Sequence, residues 1–290
     1  MEQKPLAIST RIMTETDIAS GVRLNTSAGW NQTAADWRRF LENSPSGCFV
    51  AEVKGEVVGT SATIRYENRF AWIGMVLVHP EFRNRGIGTR LLQEAIEHLD
   101  RIGVSTMKLD ATPLGKPIYA KLGFVPEYEI ERWTLQRPPG IVSTQPMSGM
   151  TLDKSQMDRI CDLDREVFGA DRNFLVRSLH ECAPELTCIA CRGGELWGYA
   201  FGRKGLFADH LCPCVTTVPK IAQELLQSFL QQSSRETIVV DCLPSNSGVL
   251  DSLRAVGFAF SRPLTRMVRG PNSHPGKPEA IRAILGPEFG

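Results

Sequence analysis

The chain has 290 residues, longer than the roughly 100 to 200 of an ordinary domain, so two domains are expected, each able to bury a core. Its 33 basic and 32 acidic residues leave a formal charge of +1, which offers no global field for nucleic acid or an anionic membrane surface and points to a small-molecule partner. Hydrophobic content is 42%, no apolar run reaches the roughly 18 to 20 residues of a membrane span, and Met1-Glu2-Gln3-Lys4-Pro5 has no apolar leader, so a cytoplasmic protein with no membrane partner is expected.

In chain order, Thr14-Glu15-Thr16-Asp17 is a capping-type helix start. Trp30 and Trp37 follow at a spacing that either packs two helices together or faces a ligand. Strands are predicted near 47–53 and 57–65, joined by a Lys54-Gly55 turn, and Glu67 lies in the next turn. Ala71 to Val78 is continuously apolar, as in a central strand covered on both faces. Directly after it comes His79-Pro80-Glu81-Phe82-Arg83-Asn84-Arg85-Gly86-Ile87-Gly88-Thr89-Arg90, opening an amphipathic helix near 86–99. A turn built on Gly86 and Gly88 can expose successive backbone N–H groups, and the helix adds the positive end of its dipole, so this is an anion cradle suited to a diphosphate. It is not a Walker A loop, which needs Lys-Ser/Thr after its last glycine, and Leu91 stands where a dinucleotide fingerprint has its third glycine. A strand near 105–109 leads to Asp110, a helix near 115–122 carries Tyr119 and ends on Gly123 as an αL cap, and a strand follows near 124–134.

Consecutive prolines at Arg137-Pro138-Pro139-Gly140 open a linker, giving domains at 1–138 and 150–290 with 139–149 between them. The second domain repeats the first. Val50-Ala51, Gly55-Glu56 and Gly59 are echoed 139 positions on by Ile189-Ala190, Gly194-Glu195 and Gly198, Asp110 is echoed by Asp241, and Gly123-Phe124 by Gly257-Phe258. It opens on the capping-type start Asp153-Lys154-Ser155-Gln156 and has a strand near 186–191. Where the first copy has its arginine and glycine loop it has Leu211 to Pro219, then a helix from Lys220 to Gln231. The tail is expected to hold a short helix around Glu279 to Leu285. Seven of the eight cysteines lie beyond residue 160. Cys188-x-x-Cys191 with Cys212-x-Cys214 has enough donors for zinc, but strand positions three apart point to opposite faces, so buried reduced thiols are expected and no metal is assigned.

Arg83-x-x-Gly86-x-Gly88 resembles the acetyl-CoA pyrophosphate loop of the GNAT superfamily of N-acetyltransferases, and Tyr119-x-x-x-Gly123-Phe124 resembles its tyrosine-bearing motif. The whole chain resembles the tandem, YitH-like type, whose second GNAT domain is degenerate. The resemblance implies an α/β fold occurring twice, each copy a mixed, mostly antiparallel sheet flanked by helices. It implies that acetyl-CoA is the cofactor, with main-chain contacts from Met75, Val76, Leu77 and Val78. Arg83, Asn84, Arg85, Gly86, Ile87, Gly88, Thr89 and Arg90 would then hold the phosphates. It further implies acyl transfer to an amine by direct attack in a ternary complex, with Tyr119 protonating the departing thiolate. Asp110 and Glu67 are the candidate bases, acting through water, and each reads equally as a turn former or surface charge. No Ser-His-Asp pattern is evident and Cys48 sits in an apolar strand, which disfavours a covalent intermediate. The second copy is expected to wall the acceptor cleft, supply a homodimer surface, or regulate. A non-catalytic acyl-CoA sensor and a protein-lysine acetyltransferase are the alternative readings.

Overall fold

The computed structural model describes residues 7–138, 152–246 and 248–290. The first part of the chain forms β1 (Ile8–Ile12), α1 (Ile18–Ser27), α2 (Ala34–Asn43), β2 (Cys48–Val53), β3 (Glu56–Tyr66), β4 (Phe70–Val78), α3 (Ile87–Arg101), β5 (Met107–Ala111), α4 (Lys116–Lys121) and β6 (Val125–Gln136). There follow α5 (Lys154–Phe168), α6 (Asn173–Cys182), β7 (Cys188–Arg192), β8 (Glu195–Lys204), β9 (Asp209–Val215), α7 (Pro219–Gln232), β10 (Thr237–Cys242), α8 (Val249–Ala255), β11 (Ala259–Arg269) and β12 (Ile281–Ala283). By contacts the chain divides into two compact units, residues 1–109 with Phe289, and residues 110–288 with Gly290, so the cut falls inside β5. The linker expected at 139–149 lies outside the described residues.

The first unit is built on strands in the order β1-β2-β3-β4-β5, antiparallel up to β4 and parallel between β4 and β5. Its entry is capped as the sequence suggests: the Thr14 N–H and hydroxyl donate to the Asp17 carboxylate at 2.9 and 3.0 Å. Arg11 adds a bidentate pair at 2.7 and 2.8 Å, and its guanidinium bonds hold the Asp17 carboxyl down at about 2. The helix α3 lays Leu91, Leu92, Ala95, Ile96 and Leu99 against the sheet, its apolar positions recurring every three to four residues. Gly59 is required there, because a Cβ at that position would stand 2.9 Å from Leu91 Cδ1 and 3.0 Å from the Leu77 carbonyl. Trp37 is fully buried with its ring against Gly21, so of the two tryptophans it packs α2 on α1, while Trp30 is half-buried. Phe289 belongs to this unit, stacked on Phe40 at 4.8 Å with its carbonyl accepting from Tyr66 Oη at 2.8 Å.

In the second unit the strand order is β11-β6-β10-β9-β8-β7, with β12 paired to β9. The last strand of the first copy, β6, thus lies between β10 and β11 and is antiparallel to both. The repeat is visible in the register: Ala51 faces Gly59 and Ala190 faces Gly198, each followed by a bulge. Repeated aspartates take repeated arginines. Asp110 is held by Arg266 at 2.8 and 2.9 Å, and Asp241 by Arg132 at 2.7 and 2.6 Å, both pairs bidentate and deeply buried.

Two sequence expectations are corrected. Residues 279–285 are not a helix: a 3-10 turn over Pro278–Ala280 runs into β12, because β9 offers an unpaired edge whose hydrogen bonds override the helical propensity of Glu279-Ala280-Ile281-Arg282-Ala283. Leu211 to Val215 is not the counterpart of the glycine loop but part of β9, with Pro213 at its bulge, where Phe201 stands opposite two residues. The loop itself has shrunk to Thr216–Val218, against His79–Gly86 in the first copy.

Candidate functional site

The feature that prepares the first unit for a ligand is a bulge in β4. Thr60 pairs with Leu77 and Ala62 with Gly74, so Met75 and Val76 together oppose Ser61. Met75 takes φ +56°, and its carbonyl accepts from Thr60 Oγ1 at 2.8 Å, which pins the bulge. Pairing of β4 with β5 is registered only at Ala71↔Met107 and Trp72↔Lys108, and Ile73 to Val78 run on beyond it.

Beyond Val78 the chain turns through Pro80–Phe82, passes Asn84 at φ +59° and Gly86 at φ +77°, and enters α3. The alternation of left-handed residues rotates the peptides so that their N–H groups face outward together. Among the described residues, the backbone N–H groups from Asn84 to Thr89 make no hydrogen bond, the first partnered amide being Arg90, which donates to the Gly86 carbonyl at 3.0 Å. Three exposed arginines lie within or beside this run, each with its guanidinium held by a backbone carbonyl: Arg83 Nε donates to the Val78 carbonyl at 3.1 Å, Arg85 Nη2 to that of Glu81 at 3.2 Å, and Arg90 Nη1 to that of Ile8 at 2.9 Å. Arg85 also stacks over the Phe82 ring at 5.6 Å. A Cβ at Gly88 would meet only Val78 Cγ2, at 3.5 Å, so the helix start is open to an approaching group. Such a concentration of orphan donors and fixed positive charge at a helix N-terminus is suited to a polyanion.

The remaining candidates are placed as follows. Tyr119 lies on α4 in the second unit, half-buried, edge-on to Phe124 with ring centroids 6.3 Å apart. Burial lifts its phenol to about 12, and its hydroxyl has no protein partner among the described residues. Gly115 makes room for the ring, since a Cβ there would lie 2.8 Å from Tyr119 Cε2. Asp110 has both carboxylate oxygens on Arg266, burial pushing its carboxyl up and the guanidinium opposing that. Glu67 takes φ +53° in the turn before β4, pairs with Arg69 at 3.1 Å, and stands at the opposite end of that strand from the glycine loop. Five residue steps, roughly 16 Å at about 3.3 Å each, separate the first residue of β4 from its bulge. His79 caps the turn through its carbonyl, which accepts from the Phe82 N–H at 2.9 Å. The Cys48 thiol is buried and pushed up to about 12, which makes it inert as a nucleophile.

Sequence reasoning missed a polar pair between α1 and α2. Asn25 and Gln32 are buried and joined by a bond from Asn25 Nδ2 to the Gln32 carbonyl at 3.2 Å. Asn25 Oδ1 and Gln32 Oε1 accept nothing among the described residues, an expensive arrangement unless a donor arrives from outside. No periodicity or motif marks such residues; only their enclosure does.

The family model described as "Acetyltransferase (GNAT) family" matches residues 18–124, and one described as "Acetyltransferase (GNAT) domain" matches residues 160–281. The chain is 25% identical over 262 residues to the holothin acyltransferase of Pseudoalteromonas sp. strain SANK 73390, covering 90% of this chain and 87% of that one. It is 20% identical over 244 residues to YitH, an uncharacterized N-acetyltransferase of Bacillus subtilis strain 168, covering 84% and 85%. A crystal structure from Pyrococcus horikoshii shares the fold with a TM-score of 0.79 at 24% identity, over 100% of this chain and 99% of that one. Two matched domains in one chain, and an anion cradle within the first, make this protein an acyltransferase of the GNAT family with two such domains in tandem.

Proposed function

We propose that the protein transfers an acetyl group from acetyl-CoA to the amine of a small molecule, by direct attack in a ternary complex. The observation that carries this reading is the row of unbonded N–H groups from Asn84 to Thr89, in a run that also carries the exposed Arg83, Arg85 and Arg90. Those groups take the diphosphate, and the edge from Met75 to Val78 takes the amides of the pantetheine arm. Acetyl-CoA supplies the activated thioester. Tyr119, neutral at physiological pH because its phenol stands near 12, donates the proton that the departing thiolate needs. Asp110 is assigned to Arg266 and to structure rather than to proton transfer, and Glu67 to the turn before β4. The acceptor therefore presents its amine already neutral or gives its proton to water. A relative named for acylating holothin supports a small-molecule acceptor over a protein lysine.

The test is incubation with acetyl-CoA and a library of small amines, with release of free coenzyme A as the readout. Clear binding of acetyl-CoA by calorimetry with no turnover on any amine refutes catalysis and leaves a sensor.

A further inference from the structure

We propose that the C-terminal segment Ala280–Leu285 is the resident occupant of the second copy's ligand cleft, closing it to any coenzyme. The internal repeat makes β9 the counterpart of β4 and β10 that of β5. Like β4 and β5, β9 and β10 pair in parallel over only a few residues, Asp209–Leu211 with Ile238–Val240. Beyond that point β9 does not present a bare edge. Ile281 pairs with Val215 and Ala283 with Cys214, while on the other side the Ile284 N–H donates to the Asp241 carbonyl at 2.9 Å. The segment thus bridges β9 and β10 as an added strand, binding an extended chain by main-chain bonds.

The mouth of the cleft is rebuilt to match. The Thr216 N–H donates to the Ala280 carbonyl at 3.0 Å, and Asn246 Nδ2 donates to the Pro278 carbonyl at 2.9 Å. The loop is reduced to Thr216–Val218, α7 opens on Pro219, which has no N–H, and the Val218 N–H is turned back onto Thr216 Oγ1 at 3.1 Å. Carbonyls face the tail instead, and Arg282 covers them: Nε donates to Thr216 O at 2.8 Å and Nη2 to Thr217 O at 3.0 Å. The polarity is the reverse of the first copy, which presents donors to an anion. Every residue from Ala280 to Leu285 is 1 to 7% exposed. Between β9, β10, α7 and α8 the tail leaves an apolar cavity of about 30 Å³ lined by Cys214, Leu226, Val240, Leu253 and Arg282, room for a water or two, while a separate hollow of about 380 Å³ lies on the α5 side of β9, lined by Val215, Thr216, Val218 and Ala280.

Hydrogen–deuterium exchange on the full chain tests this, read on peptides containing Thr216 and Ile284 with and without saturating acetyl-CoA. We expect both to be protected as strongly as the middle of β9, with no change on adding acetyl-CoA, and calorimetry to give one equivalent bound per chain. Arg282→Ala should speed exchange of the tail peptide on the order of 10- to 100-fold, by removing two charge-assisted bonds, without opening a second site. Should that variant not fold, Asn246→Ala probes the same mouth from α8's side of the loop. Tail exchange at the rate of an unstructured peptide, faster tail exchange on adding acetyl-CoA, or a second bound equivalent overturns the proposal. Only the stoichiometry rests on the proposed function: a chain that binds no acetyl-CoA refutes that function, while the exchange rates still decide the tail.

Discussion

The buried pair of Asp110 and Arg266 permits a demanding test of what the two repeats share. Asp110 has no exposed side-chain surface and Arg266 has 3%, and the two meet through parallel bonds of 2.8 and 2.9 Å. Arg266→Leu strips the carboxylate of both bonds and strands a charge in the interior, which costs about 3–5 kcal/mol; it also removes the donor to the Tyr128 hydroxyl. Asp110→Leu strands the guanidinium at similar cost. The double variant replaces two desolvated charges by apolar groups and is expected within about 2 kcal/mol of the parent, so the coupling between the sites is at least about 4 kcal/mol. Urea unfolding followed by tryptophan fluorescence gives the stabilities, with circular dichroism confirming the fold. In the sister pair of Arg132 and Asp241 the aspartate also has His210 Nε2 at 3.2 Å, so Arg132→Leu should cost less than Arg266→Leu. The reasoning fails if Asp110→Asn keeps the parent's stability within about 0.5 kcal/mol while turnover collapses and the acid limb of the pH–rate profile disappears. That outcome would make Asp110 a base and not a partner.

Three further outcomes are expected. Tyr119→Phe lowers kcat on the order of 100-fold while the calorimetric Kd for acetyl-CoA stays within about twofold, because only the proton is lost; equal losses in both would assign Tyr119 to binding. Gly59→Ala forces α3 off the sheet, with a Cβ 2.9 Å from Leu91 Cδ1 and 3.0 Å from a carbonyl, and should cost about 1–3 kcal/mol in urea unfolding. Arg11 holds the Asp17 carboxyl at about 2, below its ordinary 3.8, so the pair's contribution is present above pH 4 and is lost as pH falls through 2. With Arg11 40% exposed, that contribution is about 1–2 kcal/mol after screening, and Arg11→Ala should flatten the stability curve over that window.

Much of the protein was legible in its sequence, and for local reasons. Gly86 and Gly88 between an apolar strand and an amphipathic helix are chemistry written within a dozen residues, and the structure places a left-handed Gly86 and a run of unbonded amides there. Gly123, read as a helix cap, takes φ +87°, and Asp153 and Gln156 close a capping box by exchanging backbone bonds. The repeat needed only the shared order of like residues, at offsets of 139, 131 and 134 positions. What the chain could not announce depends on partners far away in sequence. Nothing near Asp110 shows that Arg266 will occupy it, 156 positions on. Nothing in Glu279-Ala280-Ile281-Arg282-Ala283, a good helical string, shows that β9's open edge will draw it into a strand. Likewise Asn25 and Gln32 became notable only once α1 and α2 enclosed them. Turns and caps are set largely by interactions between neighbours, whereas the state of a carboxylate or a strand edge is decided by whichever distant group satisfies it once water has been excluded.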